Sequence, residues 1–175
     1  MTNVNIRSPK RSDQAELVKI AFTDDDGQVE TLWAFDLGGG RYRLDSTPWF
    51  QYGVSWKDVV AARPDSDGLL CFTQVLEKSG YRTVRVAFEE RTGAENPILS
   101  GLQSLGCSFE GANSRLFAID VPPEVSLQAV RDFLVSNKVQ WEYADPTYAD
   151  LHGKRLGKRA GLTEKRASDT PVPST

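Results

Sequence analysis

Apolar and polar positions alternate one for one from residue 17. Leu17, Lys19 and Ala21 fall on one side of the chain, and Val18, Ile20 and Phe22 on the other. A period of two predicts a strand. The acidic stretch "TDDDGQ" follows, and its Asp-Gly step between two alternating runs predicts a hairpin loop. The return run, "VETLWAFDL", sets Val29, Thr31, Trp33 and Phe35 on one face. Three glycines at 38–40 permit a tight turn with positive φ. A third strand, "RYRLD", then carries Tyr42 and Leu44 on one face. Residues 53–64, "GVSWKDVVAARP", read as a fourth strand entered from a glycine turn. After the turn "DSDG", the runs "LLCFTQVLE" and "YRTVRVAFEE" predict two strands joined as a hairpin across "KSG". Short antiparallel strands at this spacing predict a small, strongly curved sheet or barrel.

The period changes after residue 91. Ile98, Leu99, Leu102 and Leu105 recur at spacings of three and four, which predicts an amphipathic helix. Asn96 stands as its N-cap, Pro97 at the first helical position and Gly106 just past the end. "CSFEGA" is short and strand-like, and "SRLFAIDVP" alternates as a strand. "SLQAVRDFLVSNK" is a second helix, with Ser126 as its cap and Leu127, Val130, Phe133 and Leu134 as its stripe. "VQWEYAD" is a last strand.

From Tyr81 the order is strand, helix, strand, strand, helix, strand, the split βαβ or ferredoxin-like arrangement. Right-handed crossovers put both helices on one face of a four-stranded sheet. The other face must be covered, and the β-rich first half is available to cover it. The expected class is therefore α+β: an N-terminal antiparallel β-sheet or barrel lobe, then a ferredoxin-like lobe. The expected divisions are a flexible N-terminus at 1–13, a β-rich lobe at 14–90, a ferredoxin-like lobe at 81–150 packed on it, and a basic, disordered tail at 151–175.

Composition narrows the function classes. A chain of 175 residues with 39% hydrophobic and 26% charged residues suits a soluble folded body. No apolar run reaches the roughly 20 residues that span a bilayer, and no apolar segment follows the basic residues at the start. The expected address is the cytoplasm. From His152 onward six basic residues face two acids, a net +4, so the overall −3 leaves −7 on the body. An acidic body repels nucleic acid and anionic membrane and attracts basic partners.

Catalytic chemistry has little to work with. His152, the one histidine, opens the basic tail, so a triad or dyad would have to use it. Cys71 and Cys107 are far apart and read as small buried thiols, and they give no zinc-ligand spacing. "LGGGRYR" is followed by a strand, not by the helix that a phosphate-cradling loop needs. No catalytic residue, metal or cofactor is expected. A paired-carboxylate enzyme stays open, because sequence does not show whether two acids share a cleft.

The segment "LDSTPWFQYGVSWKDVV", residues 44–60, fits neither template. Trp49, Phe50, Tyr52 and Trp56 fall within eight positions of it. Large rings anchor the core of a small β lobe, and Trp and Tyr also serve as contact anchors at interfaces. With the acidic turns as a rim, the candidate partner-binding residues are Asp24, Asp25, Asp26, Trp49, Tyr52, Trp56, Asp65 and Asp67.

Residues 30–72 resemble the hallmark region of the bacterial domain family DUF4265, in which "LWA", "YRLD", "GVS", "DVV" and "PD.DG" recur in this order. The likeness extends to about residue 148. Departures are Ser46 where Asn is usual, Trp49 for Phe, Gln51 and Tyr52 in the aromatic run, and Lys57 for Gly, which suggests that this turn does not strictly need glycine. The resemblance implies a non-catalytic cytoplasmic immunity protein. Such a protein binds a cognate toxin, an ADP-ribosyltransferase among the candidates, and blocks its active site; the acidic body is what points to a basic partner. It implies an architectural role for Tyr42, Leu44, Pro48, Gly53 and Asp58, and it carries over no binding residue. The alternative is a small-molecule-sensing regulatory module.

Overall fold

A computed structural model describes residues 16–153. The expected behaviour of residues 1–13, and of the tail from residue 154 on, lies outside the described residues. Five strands close a barrel: β1 (Leu17–Thr23), β2 (Val29–Asp36), β3 (Arg41–Leu44), β4 (Val59–Pro64) and β5 (Leu70–Glu77). Neighbours pair antiparallel, and β1 meets β5 in parallel, Ile20 against Leu70, to shut the ring. Its core holds Ile20, Phe22, Leu32, Leu44, Val54 and Val60. Phe22 stacks on Phe72 at 4.5 Å between ring centroids.

The second sheet contains β6 (Arg82–Ala87), β7 (Ser108–Gly111), β8 (Leu116–Val121) and β9 (Gln140–Asp145), in the order β7-β8-β6-β9 and antiparallel throughout. Helix α1 (Pro97–Ser104) joins β6 to β7, and α2 (Leu127–Ser136) joins β8 to β9. The caps are those the sequence predicts. Asn96 accepts the Ile98 amide at 2.8 Å, and Ser126 accepts that of Ala129 at 3.2 Å. Leu99, Leu102, Val130 and Leu134 from the helices meet Val84, Val86, Ile119 and Val121 from the sheet. Each fully buried side chain of this kind stabilises the fold by roughly 1.5–3 kcal/mol. The fold is thus a mostly-β α+β one, a ring of five strands followed by a four-stranded sheet with short helices.

Several expectations are corrected. β5 and β6 do not form a hairpin across "KSG". The free edge of β5 is taken by β1, which closes the barrel, so β6 leaves and becomes an inner strand of the second sheet. The fourth strand begins only at Val59, because residues 55–58 form a turn in which Asp58 and Ser55 exchange backbone and side-chain hydrogen bonds. That turn still demands the left-handed region, since Lys57 sits at φ 66°. In β2 it is Glu30, Leu32 and Ala34 that point inward, and Trp33 lies outside with Lys19 Nζ over its ring at 4.7 Å. A further short helix, α3 (Tyr148–His152), follows β9.

Candidate partner-binding site

The second sheet has two unlike faces. Alternation along β6 sends Val84 and Val86 to the helices, and Thr83 and Arg85 to the barrel. On β7 and β8 the barrel-facing positions hold Ser108, Glu110, Ala118 and Asp120. Strand β9 adds Glu142 and Asp145 beside Arg85 and Thr83. This polar face is covered by residues 45–58, the segment that fits neither helix nor strand.

Its contacts explain the fit. Thr47 Oγ1 donates to Asp120 at 2.8 Å. The Gln51 carbonyl accepts from Arg85, whose guanidinium also meets Glu142 at 3.1 Å and lies 4.5 Å from the Tyr52 ring centre. Tyr52 closes the set by donating to Glu142 at 2.8 Å. Ser55 donates to Asp145 and lies 2.9 Å from the Thr83 hydroxyl. Lys78 spans the seam, reaching Asp58 at 2.7 Å on the covering segment and Asp145 on the sheet. Glu30, from inside the barrel wall, accepts three successive amides, Trp49 at 2.6 Å, Phe50 at 3.0 Å and Gln51 at 2.9 Å. The segment is therefore a strap, held by buried polar partners on both sides.

Burial sets the electrostatics of the seam. It pushes the Asp120 carboxyl up to about 6, against the opposing pull of the Thr47 and Ser108 hydroxyls and the Lys57 charge. Glu110 rises to about 7, first by burial and then by the charge of Asp120, which ionises before it. The Cys107 thiol goes up to about 11 for want of solvent and because Asp120 is close. Burial alone would lower Lys78, but Asp145 and Asp58 more than offset this and hold it above its ordinary value. Two raised carboxyls are the pattern of an acid–base pair. Here they lie under the strap and line neither of the cavities described next. Among the described residues no three His, Cys, Asp or Glu come together to hold a metal.

An open groove of about 1620 Å³ runs between the lobes on the β9 side. The β1–β2 turn, with Asp24, Asp25 and Asp26, forms one bank. Helix α2, β9 and α3 form the other, with Arg131, Trp141 and Tyr148 among the side chains. Phe50 and Tyr52 stand between them, 57% and 48% exposed. A smaller cavity of about 330 Å³ opens beneath Phe50, with Phe22, Val29, Asp24 and Glu30 in its wall.

The groove thus brings together Asp24, Asp25, Asp26 and Tyr52. The other four expected residues are not among those that line it. Trp49 is half-buried in the strap, its indole N–H without an acceptor among the described residues. Trp56 packs edge-on against Tyr81 at 5.1 Å. Asp65 and Asp67 belong to a separate rim. In the parallel register Ile20 against Leu70, Asp67 precedes the match by three residues and Asp24 follows it by four. Because β1 and β5 run parallel, the turn that follows β1 and the turn that precedes β5 lie at opposite ends of the paired strands.

Sequence reasoning missed the far bank. Its signal was present in "TYAD", where Thr147 and Asp150 form a capping box that starts α3. His152, at the end of that helix, is exposed and rests 4.1 Å from the Tyr148 ring centre. Cys107 is buried as expected, whereas Cys71 is only half-buried.

Comparison with known proteins places the chain without giving it a reaction. Its fold matches that of a hypothetical protein from Neisseria gonorrhoeae, with a TM-score of 0.61 at 14% identity, over 77% of this chain and 96% of the other. Similarity at that level speaks for the fold alone. No curated protein matches. Residues 30–143 match the family model described as Domain of unknown function (DUF4265). These residues hold the strap, Glu30 beneath it and the polar face apart from Asp145, and the chain belongs to that family.

Proposed function

We propose that this protein is a non-catalytic immunity protein of the cytoplasm, which binds a cognate antibacterial toxin and occludes its active site. The observation that supports this most is the groove. It sets three carboxylates of one lobe opposite the exposed Tyr148 and the half-buried Trp141 and Tyr143 of the other, with Phe50 and Tyr52 between. Exposed aromatics beside a like-signed charged bank suit capture of a basic protein surface. An interface of standard size buries about 1,200–2,000 Å² in total, and a groove that spans both lobes offers one partner's share. We further read the second lobe as ferredoxin-like, from its element order and from helices on one face only. An ADP-ribosyltransferase remains the proposed class of toxin, on the family resemblance alone.

A small-molecule sensor is the weaker reading. The cavity beneath Phe50 is near the bottom of the ~300–1,000 Å³ range of ligand pockets, and it opens into the larger groove. It suits one side chain of a partner better than a whole ligand.

The test is co-expression with a toxin encoded beside the gene. Rescue of growth and co-purification are expected from the native chain. Both should be lost on reversing Asp25 and Asp26 to lysine, with Asp24 kept because its carboxylate accepts the Asp26 and Gln28 amides of the turn. Rescue that survives the reversal would move the site elsewhere, and a chain that binds no delivered toxin would end the proposal.

A further inference from the structure

We propose that the cavity beneath Phe50 is an anchor pocket for a cationic side chain of the partner, arginine in first place. This deepens the partner-binding reading above and rests on it for the partner, although the pocket can be probed without one.

Three observations converge. The cavity holds about 330 Å³, room for one long side chain, and its walls include the rings of Phe22 and Phe50 and the side chain of Val29. Its polar lining includes two acids, Asp24 and Glu30. Glu30 is only 9% exposed, and it meets three backbone amides but forms no ion pair among the described residues. The three amides satisfy its hydrogen bonds but bring no cation, so a positive head entering the cavity gains attraction from this acid as well as from Asp24.

Arginine and lysine match such walls best. Their stems cover apolar surface while the charged head seeks an acid. Arginine has the advantage, since its planar head can lie against the exposed Phe50 ring while it donates to a carboxylate. Asp24 Oδ1 already accepts the amides of Asp26 and Gln28 at 3.0 and 2.8 Å, and a carboxylate has further lone pairs to offer. The −7 charge on the residues before His152 draws a basic group towards this mouth.

The probe is N-acetyl-L-arginine amide, titrated into the full ¹⁵N-labelled chain and compared with its neutral isostere N-acetyl-L-citrulline amide. Saturable shifts of the Val29, Phe50 and Gln51 amides are expected with the arginine compound. Citrulline should bind roughly tenfold more weakly, the scale of one charge-assisted contact. Asp24→Asn retains an acceptor for the turn and should weaken the arginine probe several-fold. Phe50→Ala should do the same, and unshifted β6 and β8 amides would show that both variants fold. Equal binding of the two probes, shifts outside the cavity, or no shift at all would overturn the pocket. The two levels separate cleanly. A toxin that binds both variants as tightly as the native chain removes the pocket and leaves the function. An arginine probe that binds where no toxin does leaves the pocket and removes the function.

Discussion

The two faces of the four-stranded sheet are built from alternate residues of the same strands, yet they obey different rules. The helix-covered face is apolar: Val84, Val86, Ile119 and Val121 are fully buried against Leu99, Leu102, Val130 and Leu134. The barrel-covered face is ionic: Thr83, Arg85, Asp120 and Asp145 are buried almost as completely, with Arg85 4% and Asp120 3% exposed. Apolar packing is forgiving in direction, because it asks only for volume and shape. A buried polar layer is not, since each donor and acceptor needs its partner. The first face glues helices to a sheet. The second fixes one orientation of the two lobes, and with it the position of Asp24–Asp26 relative to β9 and α3 across the groove.

That contrast breaks most visibly at Asp58 and Ile119. Asp58→Ala leaves the Ser55 and Ser79 amides without their acceptor and Lys78 with one carboxylate in place of two. Each amide left without an acceptor costs about 1–3 kcal/mol, while Lys78, half exposed and still paired with Asp145, adds little. Ile119→Ala opens a cavity in the other face at about 2–5 kcal/mol. Denaturant unfolding should therefore give losses of similar size. Hydrogen exchange should tell them apart, with protection lost first in residues 47–55 for Asp58→Ala and first in α1 and α2 for Ile119→Ala. Uniform loss in both variants would mean that the faces are not distinct structural units.

How much of this was legible follows from the same physics. Periodicity and caps identify both helices, since Asn96-Pro97 and Ser126 announce them within a few residues. Tyr42 and Leu44 announce the buried side of β3 in the same way. The polar face was not legible, because Arg85, Asp120 and Glu142 look like solvent-facing positions of ordinary amphipathic strands. Nothing local says that a segment with Thr47, Gln51 and Ser55 will cover them. Glu30 is the clearest instance: alternation in β2 sets Val29, Thr31, Trp33 and Phe35 on one face without saying which face is buried, and the barrel wall takes the other, with the carboxylate inward where three strap amides meet it. Likewise "KSG" has every local mark of a hairpin, and only closure of the barrel by β1 forbids it.

A second, smaller effect sharpens the comparison through pH. The Asp120 and Glu110 carboxyls rise from 3.8 and 4.5 to about 6 and about 7 in the folded protein. Between about pH 4 and pH 7 the folded state thus holds more protons than the unfolded chain, and these two groups make stability fall as pH rises. At Asp120 a shift of about two units corresponds to about 3 kcal/mol, less about 1 for weakening its bonds to Thr47 or Ser108. Asp120→Asn should therefore gain about 2 kcal/mol at pH 8 and lose about 1 at pH 4. An unchanged slope of stability against pH would show that the seam admits water freely, and it would remove the ionic side of the contrast. Ile119→Val on the other face should leave that slope untouched.

The smallest effect concerns the backbone that carries the strap into β4. Lys57 sits at φ 66°, in the left-handed region, where a non-glycine residue costs roughly 1–2 kcal/mol. Its ammonium lies 4.2 Å from the Trp56 ring centre, 4.8 Å from that of Tyr81 and 3.3 Å from the Tyr81 hydroxyl. Exposed contacts of this kind return about 0.5–1 kcal/mol each. Lys57→Gly removes the strain and the contacts together and should be nearly neutral. Lys57→Ala retains the strain and loses the contacts, so it should fall about 1 kcal/mol below both the native chain and the glycine variant. If alanine and glycine prove equal, the turn has relaxed out of the left-handed region, and Asp58, one residue on, would no longer be held where Ser55, Lys78 and Ser79 meet it. The order glycine above alanine is thus a test of whether the polar seam dictates the backbone conformation at 57, or only accommodates it.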